Sequence, residues 1–229
     1  AFPKHVPEGV VAPVELARDG KGLIRGYTMP IVPSARELLM LHGDKSLRKT
    51  LNPEHLTALF RRLHELVEAA HKAGLIIGDF NDLNILVRAA TDPTIAPYLI
   101  DADSMQFGPF PCRMFTARFV DPTLCDPRVA APMLIAPHRE TSDWFAFAAM
   151  LFETLLWVGP FGGVHAPTSG GVKVAHDARS LKRLCVLNPD VRYPKPARPY
   201  GTLPDDLLQY FLCVFERDHR EVFPRTLLE

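Results

Sequence analysis

Apolar residues recur at helical spacing between residues 53 and 74. Leu56, Leu59, Phe60, Leu63, Leu66, Val67 and Ala70 fall on one face, which predicts an amphipathic helix. Asn52 is placed to cap it, Pro53 suits its first turn and Gly74 its end. A different pattern fills "TSDWFAFAAMLFETLLWVG". Ser142 is a candidate cap and Asp143 sits in the first turn, where the helix dipole favours an acid. The remainder is apolar on nearly every side, with Glu153 its one further charge, as in a central buried helix. "LPDDLLQYFLCVFER" predicts a third long helix, with Pro204 and two acids at its start and Arg217 at its end.

Strand patterns cluster earlier. "VVAPVEL" and "LIRGYTMPIV" read as strands joined by the "RDGKG" turn, Arg18 to Gly22, in an antiparallel hairpin. "NILVRA" and "APYLIDAD" read as a second hairpin about "TDPT". "SARELLMLHG" predicts a short helix capped by Ser34 and ended at Gly43. A long proline-bearing segment runs from Ser104 to about Glu140, and residues 159–174 read as loop. Strands come first and helices follow, so the expected class is α+β.

Composition narrows the function classes. Hydrophobic residues make up 47% of the 229 and charged residues 23%, enough apolar content for a sizeable core. Lys+Arg and Asp+Glu both number 26, so no net field draws nucleic acid or an anionic membrane, and neither is expected as a partner. No apolar run has the length of a membrane span. The four cysteines, Cys112, Cys125, Cys185 and Cys213, form no CxxC pair. They read as reduced structural thiols of a cytoplasmic protein, without zinc. Proline, 22 of 229, is about twice its usual share of roughly 5%, which suits long ordered loops.

The candidate chemistry lies in "LIIGDFNDLNILV", Leu75 to Val87. Asp79 and Asn84 are five apart, and Asp101 ends the next strand in "YLIDAD". If "NILV" and "YLID" pair, Asn84 and Asp101 reach neighbouring strand ends. The Asn84 carbonyl oxygen and the Asp101 carboxylate could then hold one hard cation. Mg2+ prefers such sparse oxygen ligation, completing its shell with water and phosphate. Asp79 could accept the proton of an attacking hydroxyl. Phosphoryl transfer needs little beyond such positioning and charge neutralisation.

This constellation resembles the protein kinase family, whose catalytic loop sets a base Asp five residues before a metal-binding Asn, with a second metal Asp after the next strand. Asp79, Asn84 and Asp101 match those positions. "AHKAGLIIGD" resembles the lead-in to that loop, and "FVDPTL" the end of an activation segment. "SDWFAFAAMLFETL" resembles the buried helix whose leading Asp, here Asp143, braces the loop. "GYTMPIV" resembles the strand entering the adenine-binding hinge, and "FERDHREVFP" the C-terminal helical region. "IGDFNDLNILV" with "LIDADS" is most similar to divergent bacterial eukaryote-like Ser/Thr kinases.

The resemblance implies a mainly helical kinase C-lobe over residues 34–229, preceded by a truncated β N-lobe and hinge over residues 1–33. It sets the catalytic loop at 78–84, the metal segment at 99–104 and the activation segment at 104–123. It implies ATP and Mg2+ as cofactors and transfer to a protein Ser or Thr hydroxyl. Asp79 and Asn81 are the catalytic candidates, Asn84 and Asp101 the metal ligands, and Met29, Pro30, Ile31, Val32 and Leu86 the nucleotide-contacting residues.

Several positions depart from the family. Gly78 stands where most protein kinases have Arg, and Asn81 where they have the Lys that contacts the γ-phosphate. Asp101-Ala102-Asp103 replaces Asp-Phe-Gly, and Thr123 occupies the place of the activation-segment Glu. The chain has no G-x-G-x-x-G and no strand resembling "VAIK". Against the family pattern it starts just after the helix that carries the partner Glu, and a longer N-terminus is expected. Two other readings stay open: a pseudokinase scaffold that binds a protein partner, from the missing loop and Lys, and a small-molecule kinase, from Gly78-Asp79 and Asn81.

Overall fold

The computed structural model describes residues 3, 5–50, 52–90, 94–168 and 170–229. It is a mixed α/β chain, with five α-helices among the described residues and small antiparallel sheets. Its contacts group into two compact units. One comprises residues 1–77 and 82–112, the other residues 78–81 and 113–229.

The first unit carries most of the strands. β1 (Glu15–Arg18) and β2 (Ile24–Thr28) form an antiparallel hairpin. Asp19 organises the turn: its carboxylate accepts from the backbone N–H groups of Lys21 and Leu23 at 2.9 and 3.0 Å, the Asx-type use of a short acid in a tight turn. The strands are shorter than the apolar pattern suggested, and the first begins at Glu15 because Pro13 cannot donate to the ladder.

Residues 34–43 do not form one helix. Ala35–Glu37 is a strand, β3, and the helix α1 spans Leu38–Gly43 with Glu37 at its N-cap. Ser34 caps nothing; it takes a left-handed φ of 55° and turns the chain into β3. Pairing decides the outcome, because β3 forms a ladder with β5 (Ile85–Arg88), which satisfies three residues that helix propensity alone would have assigned to α1. β5 pairs in turn with β6 (Ala96–Leu99), giving the order β3-β5-β6. The "TDPT" turn expected between the last two falls largely on residues 91–93, outside the described residues. A second short helix, α2, spans Lys45–Thr50.

The helix α3 spans Pro53–Lys72. Asn52 accepts from the Glu54 N–H at 3.0 Å, and Gly74 takes a φ of 79° just beyond the end. All seven residues of the expected face are buried, and His64 with them. That face packs on β6 and on β4 (Leu75–Ile76), which pairs with β7 (Gln106–Phe107). Complete burial of a Leu, Phe or Val contributes about 1.5–3 kcal/mol, so this face is the main anchor of the unit.

The second unit is built on α4 (Glu140–Leu156) and α5 (Asp205–Glu216). α4 is buried without a break from Ser142 to Phe152. It starts two residues before Ser142, with Arg139 at the N-cap; the Ser142 hydroxyl accepts from the Arg139 N–H at 2.9 Å, closing the first turn from inside. Aromatic rings join the two helices: Phe152 meets Phe211 edge-on at 5.1 Å, and Phe145 meets Phe215 at 5.8 Å. Burial pushes the thiols of Cys125 and Cys185 up to about 11 and about 12, which keeps both protonated and unreactive. No described helix is long and apolar enough to cross a membrane.

Within residues 159–174 the structure has a two-residue strand, β8 (Val164–His165), paired with β9 (Val191–Arg192). Gly163 precedes it at φ 75°, and an added Cβ would lie 2.7 Å from the Arg192 carbonyl oxygen. Gly163→Ala is therefore expected to cost about 1–3 kcal/mol from crowding, with roughly 1 kcal/mol more from the left-handed backbone. A thermal melt checks this; an unchanged midpoint would show that the loop rearranges freely.

Candidate functional site

Each unit contributes one group of the predicted site residues. In the first unit, register sets the geometry. Ile85 faces Leu99, so Asn84 and Asp101 lie at the same end of the β5–β6 hairpin. The Ile100 N–H donates to the Asn84 backbone oxygen at 3.0 Å, extending the ladder by one bond. An open cleft of about 530 Å3 follows. It is lined by Met29, Pro30, Ile31, Val32 and Leu86 together with Asn84, Asp101, Tyr27 and Asp103. The residues expected to touch nucleotide and those expected to hold a cation therefore line one surface. Its apolar side is the extended stretch after β2, and its polar part is the end of the hairpin.

Asp101 takes a φ of 62°. The left-handed region is uncommon for a side chain other than glycine, and Asp and Asn tolerate it best. The Ser104 hydroxyl lies 2.7 Å from Asp101 Oδ2 and 2.9 Å from its backbone oxygen, and the Ser104 N–H donates to that same oxygen. A tight turn thus orients the carboxylate. Strained backbone held in this way is a common property of ligand sites. The neighbouring Asp103 side chain, more than burial, pushes the Tyr27 phenol up to about 12.

The second unit carries Asp79, Asn81 and Asp143. Gly78 has a φ of 75°, a conformation that a long side chain such as Arg adopts only under strain. The N–H of Gly78 donates to Asp143 Oδ1 at 2.9 Å. Asp143 is fully buried in the first turn of α4, so the most buried helix of the unit grips the backbone just before Asp79. The Asp79 carboxylate accepts from the Thr116 hydroxyl at 2.9 Å. Asn81 is buried, and its side-chain amide donates to the Asp79 carbonyl at 3.0 Å, closing the loop on itself. That engagement makes Asn81 a tether of the loop rather than a group presented to solvent.

The chain passes from the second unit to the first between Asn81 and Asp82. Asp82 is completely buried in the first unit and pairs with the buried His42 at 3.0 Å; its backbone oxygen accepts from the Leu39 N–H. The sequence reading overlooked His42, Asp82, Thr116 and Tyr27. His42 and Asp82 are 40 positions apart, and Thr116 is 37 from Asp79, so no local pattern marks either pair.

The donor set suits a hard cation. An amide carbonyl oxygen and a carboxylate are the oxygen ligands that Mg2+ takes, with its remaining positions left to water and phosphate. The apolar flank formed by Leu86 and the 29–32 backbone suits a planar base, in the manner of small-ligand sites that combine apolar walls with a few polar groups. No protein-family model matches the chain, and no curated protein is significantly similar to it.

Proposed function

We propose that this chain is a protein kinase-like phosphotransferase domain that binds ATP with Mg2+ and acts on the Ser or Thr hydroxyl of a protein. One observation carries the reading: the five residues expected to contact nucleotide and the two expected to hold Mg2+ line a single cleft. In this reading the backbone of Met29–Val32 binds the adenine edge and Leu86 packs on the base. Asn84 and Asp101 hold the cation, and Mg2+ when bound neutralises phosphate charge. Asp79 orients the acceptor hydroxyl and takes its proton through a carboxylate oxygen. Asp143 and Asn81 keep the Asp79 loop in shape, and Thr116 fixes the carboxylate rotamer.

Calorimetric titration with ATP, in Mg2+ and then in EDTA, tests the proposal. Binding that requires Mg2+ is the expected result, since in this reading Asn84 and Asp101 engage the phosphates through the cation. Binding that ignores Mg2+ would remove Asn84 and Asp101 from the site. No binding at millimolar ATP would favour a scaffold that engages a protein partner.

A further inference from the structure

The second, helical unit holds a cavity that has no part in the roles given above. It measures about 190 Å3, shares no residue with the cleft and is lined only by residues of this unit. Pro132, Pro160 and Phe161 make much of its wall apolar. Two opposite charges stand side by side against that wall. Arg118 Nη1 donates to Glu153 Oε1 at 3.0 Å, and the Arg118 guanidinium lies 4.7 Å from the Phe119 ring. Glu153 is the one charge of α4 beyond its first turn, and its side chain is 16% exposed. A carboxylate set that deep in an apolar helix is costly unless charged partners offset its lost hydration.

The space beside that carboxylate is kept by a glycine. The φ of Gly159 is not left-handed, so its backbone does not demand glycine. An added Cβ there would lie 3.5 Å from Glu153 Oε2, in ordinary contact with the carboxylate. The turn that follows is fixed from below: the buried Arg179 donates from Nη1 to the Gly162 and Gly163 carbonyl oxygens at 2.6 and 2.9 Å. The wall is therefore formed before any ligand arrives. The other charged groups at the cavity, His176 and Asp177, meet each other at 3.4 Å and are largely exposed, so water and salt screen them.

We propose that this cavity binds a free α-amino acid with an apolar side chain. The ligand carboxylate meets Arg118, its ammonium meets Glu153 in the space beside Gly159, and its side chain lies on Pro132, Pro160 and Phe161. A single carbon separates the two charged groups of an α-amino acid, about 2.5 Å from ammonium nitrogen to carboxyl carbon. They therefore match protein charges that are themselves in contact. A simple amine gains nothing from Arg118, and a simple acid is repelled by Glu153. The cavity is smaller than the roughly 300 Å3 at which drug-sized pockets begin, which suits a ligand of this size.

Calorimetric titration of the whole chain with L-valine, L-leucine and L-phenylalanine tests the site, with two partial ligands beside them. Isoamylamine lacks the carboxylate of leucine, and 4-methylpentanoate lacks its ammonium. At least one of the amino acids is expected to bind at about millimolar concentration or tighter. If that is L-leucine, each partial ligand is expected to bind roughly ten to a hundred times more weakly, the loss of one charge-assisted hydrogen bond. Gly159→Ala, which fills the space beside Glu153, is expected to weaken amino-acid binding by about tenfold or more and to leave the melting temperature unchanged. Glu153→Gln is expected to lose the preference for L-leucine over 4-methylpentanoate. Absence of binding by all three amino acids would overturn the proposal. Isoamylamine or 4-methylpentanoate binding as tightly as L-leucine would overturn it too, since one charge would then suffice. Undiminished binding to Gly159→Ala would place the ligand elsewhere and overturn it as well. Should Gly159→Ala lower the melting temperature, Glu153→Gln decides alone, and an unchanged preference for L-leucine would overturn the site. ATP binding at the cleft has no bearing on these outcomes, so the phosphotransfer reading and this site fail or stand separately.

Discussion

Replacing Asp101 by Asn is expected to abolish Mg2+-dependent nucleotide binding and to lower phosphotransfer by roughly 10²–10³-fold, the usual cost of removing one preorganised electrostatic contact to the reacting charge. The choice of Asn follows from the backbone. At φ 62°, Ala carries a strain that Asn largely avoids. The Asn amide oxygen can also still accept from the Ser104 hydroxyl that now bonds the carboxylate. The variant removes the charge and leaves the turn. Asp101→Ala should be equally inactive, with a slightly lower melting temperature from the backbone cost. The fold should persist in both, because Asp101 lies on the cleft and outside the buried core. An active Asp101→Asn enzyme, or one with normal Mg2+ dependence, would sink the cation assignment.

A second large effect is expected in the helical unit. Asp121 is 2% exposed and Arg220 13%, by side chain, and they form a fork: Nε donates to Oδ2 and Nη2 to Oδ1, both at 2.8 Å. Arg220 also donates to the Val214 carbonyl at 2.7 Å and lies over the Phe145 ring at 4.5 Å. Asp121 in turn caps the short helical turn at 122–124, accepting from the Thr123 N–H at 2.9 Å. Removing one partner leaves the other charge buried and uncompensated, at a cost of about 3–5 kcal/mol. Arg220→Ala and Asp121→Ala should each lose that much stability in denaturant titrations. Arg220→Lys should recover little, since an ammonium cannot match the two-pronged geometry. A loss below about 1 kcal/mol would place the pair among surface ion pairs.

The long elements were readable from sequence because their signals are local and redundant. α3 carries a periodic face, a cap and a stop that agree, and every residue of that face is buried. The β5–β6 hairpin followed from its pattern, and with it the meeting of Asn84 and Asp101. The failures share one cause. β3 has only three residues and its sequence favours helix; its state is set by a ladder partner some fifty positions away. The two-residue strands β4, β7, β8 and β9 are too short to carry any period. Within the candidate site, residue types and spacing pointed to Asp79, Asn84 and Asp101. The groups that orient them, Thr116 and Ser104, are ordinary loop residues until the chain is folded. Asp121 and Arg220 are 99 positions apart and could not have been paired from sequence.

The placement of the two tryptophans gives this chain a built-in spectroscopic division. Trp144 is buried near the start of α4, and Trp157 ends the same helix in a left-handed cap with the Arg198 guanidinium 5.5 Å from its ring. The sequence has no other tryptophan. Indole emission is therefore a signal that originates in the helical unit alone. A denaturation curve followed by that emission reads the unfolding of the unit that holds the Asp121–Arg220 lock.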